Sequence, residues 1–248
     1  MTTFSLAEVV KDLAPTGTLR AAINFGNPVL AQRDPATGDP RGVTAELAHE
    51  IASRLAVPLQ FVTYDAAGKV TAAVATGAWD IAFLAIDPKR AEEISFTPPY
   101  VIIEGGYMVA KDSPLHAVAE VDRPGMRITV SRDSAYDLHL TRTIRNAQIL
   151  RVPTGDEAIE LFLREKTDAA AGVKGPLLRY AADHPGLRVM DGRFMIIEQA
   201  MGTPRGHDAG LRYLRRFLEE MKASGAIAAA LGRSGQHDAL IAPAAPVD

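Results

Sequence analysis

Apolar positions along this chain repeat at two periods, and the periods take turns. Leu19 to Ile23, in "TLRAAINFG", is a short apolar run that ends in a glycine-bearing loop, as a strand does. Val43, Leu47, Ile51 and Leu55 then fall at helical spacing, with Pro58 as the stop. "LQFVTYD" alternates as a strand. "AGKVTAAVATGAWD" steps as a helix closed by Gly77, and "DIAFLAI" is apolar throughout, the mark of a strand buried on both faces. Such alternation predicts parallel strands with right-handed crossovers.

The pattern restarts after a long β-like run, Tyr100 to Ala110, and a polar turn with a short helix. "MRITVS", "QILRVP", "TDAAAGV" and "LRVMD" read as strands, and "SAYDLHLTRTIRNA", "TGDEAIELFLREK" and "GPLLRYAADH" as helices. "RFMIIEQAMGTP" is a returning strand, followed by the helix "DAGLRYLRRFLEEMKASG", by "AIAAALGRSG", and by a Pro/Ala tail expected to be mobile after Gly235. The architecture repeats; the residues do not. This predicts an α/β protein of two lobes, residues 1–106 with 200–248 and residues 107–199, joined by extended strands around Glu104–Tyr107 and Ile197–Met201. Open α/β sheets take ligands beyond the carboxyl ends of their strands, so a ligand cleft between the lobes is the expectation.

Composition removes several alternatives. With 27 basic and 30 acidic residues the net charge is −3, which argues against a nucleic-acid or anionic-membrane partner. The chain has no cysteine, so disulfides and thiol chemistry are excluded. Six scattered histidines offer no metal-spaced pair and no Ser-His-acid set, and no cofactor motif is present. "MTTFSLAEVVKDLAP" reads as an amphipathic helix with a capping box from Ser5 to Glu8, not as an export signal. A cytoplasmic location follows unless a leader was trimmed.

Candidate chemistry concentrates at strand ends. Arg90 follows "DIAFLAI" across the "DPK" turn. Pro88 suits the start of a helical turn, which would leave free N–H groups beside the guanidinium, a carboxylate trap. The plainer alternative is a surface arginine paired with Glu92 or Glu93. In the first loop Asn24, Phe25 and Asn27 can supply polar contacts and a ring face, although an isolated Phe25 is more often core. Ser134 caps the helix after "ITVS", where the helix dipole and orphan donors favour an anion.

The order "GTLRAAI…RGVTAELAHEIASRLAV…TAAVATGAWDIAFLAIDPKRAEEISFTPPY" resembles the family 3 extracellular solute-binding proteins, over about Gly17 to Gly232. The resemblance implies a two-lobe periplasmic-binding-protein-like fold of type II that closes on a small carboxylate-bearing solute, with an ABC-type membrane permease as partner and a periplasmic setting. It implies that Arg90 clamps a ligand carboxylate and that Ala85 ends the strand beside the ligand. Asp133 and Ser134 fall at further ligand-facing positions, with Asp133 where the family usually has glycine; Gln199, on the returning linker, either faces the cleft or is a polar hinge residue. The chain departs from the family at "KTDAAAGVKGPL". The aspartate that holds a ligand ammonium is absent near Val173, and Lys174 follows. A carboxylate without a free α-amino group fits that change better, unless Lys174 is only a solvated surface lysine. A dehydratase of the cyclohexadienyl or arogenate type on the same scaffold is the enzymatic alternative, with Asp133 or Glu198 as the acid. A cytoplasmic ligand sensor is the third.

Overall fold

The structure, a computed structural model, describes residues 5–246. The first residues of the predicted N-terminal segment lie outside them. The chain forms two compact units, Met1–Ile102 with Glu198–Asp248, and Ile103–Ile197.

The first unit opens with helix α1, Leu6–Leu13, whose Ser5 and Glu8 form the predicted capping box. Strand β1, Leu19–Asn24, leads through a small ribbon, β2 at Gln32–Arg33 and β3 at Pro40–Arg41, to helix α2, Val43–Leu55. Strand β4, Leu59–Tyr64, helix α3, Ala67–Ala72, strand β5, Ile81–Ala85, and strand β6, Ile94–Phe96, follow. β4 and β5 both pair in parallel with β1, as the alternation predicts, and every residue of β5 is buried.

The chain crosses into the second unit along strand β7, Val101–Ala110. That unit is built from β8, Arg127–Ser131, helix α4, Ala135–Thr143, β9, Gln148–Val152, helix α5, Gly155–Glu165, β10, Ala169–Val173, helix α6, Lys174–Asp183, and β11, Leu187–Val189. Its sheet runs β7-β10-β8-β9, with β10, β8 and β9 mutually parallel and β7 antiparallel to β10. The core gathers Tyr107, Val109, Ile128, Val130, Leu140 and Ala169. Strand β12, Met195–Pro204, carries the chain back and pairs antiparallel with β5 and β6 in the first unit. Helices α7, Asp208–Ala223, and α8, Ala226–Arg233, complete the first unit with β13, Leu240–Ile241.

The tail departs from the expectation of mobility. β13 pairs with Val101 and Ile102, Ala242 donates its N–H to the Tyr100 carbonyl at 3.0 Å, and Lys222 holds the Pro243 carbonyl at 2.9 Å. An alanine- and proline-rich segment carries little periodicity. Its order comes from backbone pairing, which composition does not announce.

Candidate ligand site

In the first unit the carboxyl ends of three neighbouring parallel strands lie side by side, about 5 Å apart per strand. β4 ends at Tyr64, β1 at Asn24 in register with Tyr64, and β5 at Ala85. Gln199 of β12 stands opposite Ala85 and is buried. Here the topology brings together Asn24, Phe25, Asn27, Ala85, Arg90 and Gln199.

Arg90 sits on a single 3₁₀ turn, Arg90–Glu92, and is only 2% exposed. It is therefore not a surface arginine. Its Nη1 donates to the Ala85 carbonyl at 2.9 Å, which ties the guanidinium to the tip of the strand that delivers it. The expected free N–H groups around it are absent: Lys89 donates to Asp87 Oδ1, Ala91 to the Asp87 carbonyl, Glu92 to the Lys89 carbonyl and Glu93 to the Arg90 carbonyl. A turn this tight closes on its own carbonyls and on Asp87, so the side chain rather than a ring of backbone donors carries the positive charge.

The loop after β1 is organised by an Asx turn, in which Asn24 Oδ1 accepts the Gly26 N–H at 3.0 Å. Asn27 is buried, and its Oδ1 has no hydrogen-bond partner among the described residues. A buried acceptor left in this state is costly, and a solvent molecule or ligand donor would satisfy it. Phe25 is half-buried rather than core, and the Arg33 guanidinium lies over its ring at 3.9 Å from the centroid. Burial pushes the Tyr64 phenol upward.

In the second unit Ser134 caps α4 and accepts the Asp137 N–H at 3.1 Å. Asp133 adopts φ 55°, the left-handed region that glycine enters freely, so the departure from glycine is carried as modest strain that Asp tolerates. The N–H of Asp133 donates to Asp137 Oδ2 at 2.8 Å, and Arg151 binds Asp137 Oδ1 at 2.8 Å. The helix start thus already holds a carboxylate of its own chain.

At the end of β10, Val173 is the N-cap of α6 without a side-chain cap, and Lys174 opens the helix. Lys174 Nζ lies 3.4 Å from Glu104 Oε2, and Arg193 pairs with the other oxygen of Glu104. Arg193, with Lys174, holds the Glu104 carboxyl below its ordinary range. Lys174 is therefore not a solvated lysine. Glu104, Arg193 and Arg33 escaped the sequence reading because each meets its partner across strands or loops. The Val173–Gly105 register of β10 and β7 is what puts Glu104 beside Lys174. Of the acids considered for a dehydratase, Glu198 is exposed and Asp133 half-buried. Among the described residues no group of three or more His, Asp or Glu could hold a metal, and no helix is long and apolar enough to cross a membrane.

Residues 19–233 match the bacterial extracellular solute-binding proteins, family 3, and the chain belongs to that family. No curated protein sequence matches it. Among solved structures it is similar to a mutant arginine-binding protein, ArgBP, from T. maritima, at TM-score 0.79 and 19% identity over 92% of this chain and 100% of that one. It is similar to the solute receptor for L-cysteine of Neisseria gonorrhoeae, at TM-score 0.79 and 22% identity over 93% of each chain. A third likeness is to the ancestral amino acid-binding protein AncCDT-1, a precursor of cyclohexadienyl dehydratase, at TM-score 0.75 and 22% identity over 92% of this chain and 98% of that one. At these identities the likeness is one of fold.

Proposed function

We propose that this solute-binding protein is a receptor for a small carboxylate-bearing solute and that Arg90 anchors the carboxylate. The observation that carries this is a buried guanidinium held at the carboxyl end of an entirely buried strand by the Ala85 carbonyl. Burying a guanidinium is expensive, and fixing its orientation in advance lowers the cost of binding a planar carboxylate. Family membership supports a partner of the ABC-permease type, with the solute passed on rather than transformed.

The surroundings of Val173 support a solute without a free α-amino group. Two cations, Lys174 and Arg193, face one carboxylate, Glu104, so the local balance is positive. An ammonium placed there would be repelled. The test is a thermal-shift panel that pairs each amino acid with its deaminated keto- or hydroxy-acid. Binding to the native state raises the melting point by mass action. Deaminated members should shift it more than their amino partners. A shift from the amino acids alone would overturn the ligand class. No shift from any carboxylate would overturn the receptor reading.

A further inference from the structure

We propose that Arg33 is a specificity-determining residue that meets a second acidic group on the solute, which makes small dicarboxylates the preferred ligands. This rests on the reading of Arg90 as the carboxylate anchor. Phe25 directly follows β1, which ends at Asn24. An aromatic face in such a place would otherwise accept a cationic or apolar part of a ligand. Here the chain covers the face with its own cation, at 3.9 Å from the ring centroid.

The ribbon that carries Arg33 is fixed while its side chain is lightly held. Gln32 Nε2 donates to the Pro28 carbonyl at 2.9 Å and to the Ser234 carbonyl at 3.2 Å, and β2 pairs with β3. Arg33 itself is exposed. Its charge acts on the Asp65 carboxylate, which Lys69 already engages at 2.7 Å. Among the described residues no carboxylate is hydrogen-bonded to Arg33. A cation–π stack is weaker than a bidentate guanidinium–carboxylate pair, so a ligand acid can draw the guanidinium from the ring. Arg90 follows β5, and Arg33 stacks on Phe25, the residue directly after β1, so the ends of two paired strands each have a guanidinium associated with them. Two acidic groups on one small solute complement them; a cationic solute would meet repulsion at Arg33.

The test is isothermal titration of the full chain, wild type, R33A, R33K and R90A, with two pairs matched in length and differing in one charge. The pairs are L-glutamate with L-glutamine, and 2-oxoglutarate with 2-oxopentanoate. The wild type should bind the diacid of at least one pair about tenfold tighter than its partner or better. R33A should bring that ratio close to one, R33K should restore part of it, and R90A should weaken both members. Circular dichroism checks that each variant is folded. If the wild type shows no preference, or R33A leaves a preference intact, the assignment of Arg33 falls while Arg90 stands on the R90A result. If neither pair binds, both readings fall.

Discussion

The two units start their central strands alike and finish them differently. In the first, Asp80 precedes β5 and is 1% exposed. Its carboxylate takes the Arg20 N–H at 2.8 Å and both Nε and Nη2 of Arg20, while Arg20 Nη1 reaches the Gly77 carbonyl at 2.6 Å. In the second, Asp168 precedes β10 and takes the Arg127 N–H at 2.7 Å. Arg127 reaches the carbonyls of Glu165 and Lys166 at 3.2 and 3.1 Å. Both locks tie the entry of one strand to the start of its parallel neighbour and to the end of the preceding helix. The exits diverge. β5 runs on to a buried arginine, β10 to a lysine shared with Glu104. Entries set the fold and are repeated; exits, on the proposed reading, face the solute and are free to differ.

The largest expected effect separates the exits. Arg90→Ala should cost about 2–5 kcal/mol of affinity for the bound carboxylate, as truncating one partner of a desolvated charge pair does. Lys174→Ala should cost much less, because Glu104 keeps Arg193. It should also weaken the discrimination against α-amino solutes. Titration calorimetry of both variants against one carboxylate decides it, and equal losses would erase the distinction drawn between the exits.

The entries are separated by stability rather than affinity. Asp80→Ala removes a buried carboxylate from Arg20, whose side chain is 22% exposed, so the loss falls at the low end for a broken buried pair, about 3 kcal/mol. Asp168 is half-buried and offers one backbone contact, so Asp168→Ala should cost about 1–2 kcal/mol. Urea unfolding of both variants measures the gap. A larger loss at Asp168 would mean that the two locks are not graded by burial.

Much of this was legible beforehand, and for a physical reason. Period and punctuation are local, so Val43–Leu55 with Pro58, the Gly77 stop, and the buried run of β5 were open to reading. Residues 94–96 and 240–241 do not announce themselves as strands, because segments of two or three residues have no period of their own. Arg90 could be named from its place after β5, but not the closing of its turn on Asp87. The Arg33–Phe25 stack joins the loop after β1 to the ribbon, the Lys174–Glu104–Arg193 cluster joins residues far apart in sequence, and only register and packing bring them together.

A smaller effect compares how the helices before the two strands end. Gly77 has φ 62° and Lys166 φ 47°, both left-handed. Glycine enters that region without a Cβ clash, whereas other residues bear about 1–2 kcal/mol of strain. Gly77→Ala should therefore destabilise the first unit by about 1 kcal/mol. Lys166→Gly should stabilise the second by about 0.5 kcal/mol, the relief of strain being offset by the greater chain entropy of glycine. Melting temperatures should move in opposite directions, and a shared sign would show that the two ends are not equivalent.

The smallest effect concerns acid, and it falls on the second unit. Glu120 accepts the N–H groups of His116 and Ala117 and the guanidinium of Arg123. The two backbone donors, with Arg123, lower its carboxyl from 4.5 to about 2. Asp122 gathers the N–H groups of Arg145, Asn146 and Ala147 and is lowered as well. A carboxyl depressed on folding contributes stability that is whole above its unfolded value and is lost as pH falls through the folded one. For Glu120 that window runs from about 4.5 down to about 2, and below it the contribution is gone. Glu120→Gln removes this titration, so the variant's melting temperature should fall less steeply than the wild type's across that window, with the two differing most above it. Hydrogen exchange should place the first acid-induced opening in residues 116–123 and their neighbours at 145–147. Parallel slopes for the two proteins would mean that Glu120 is solvated rather than holding the loop.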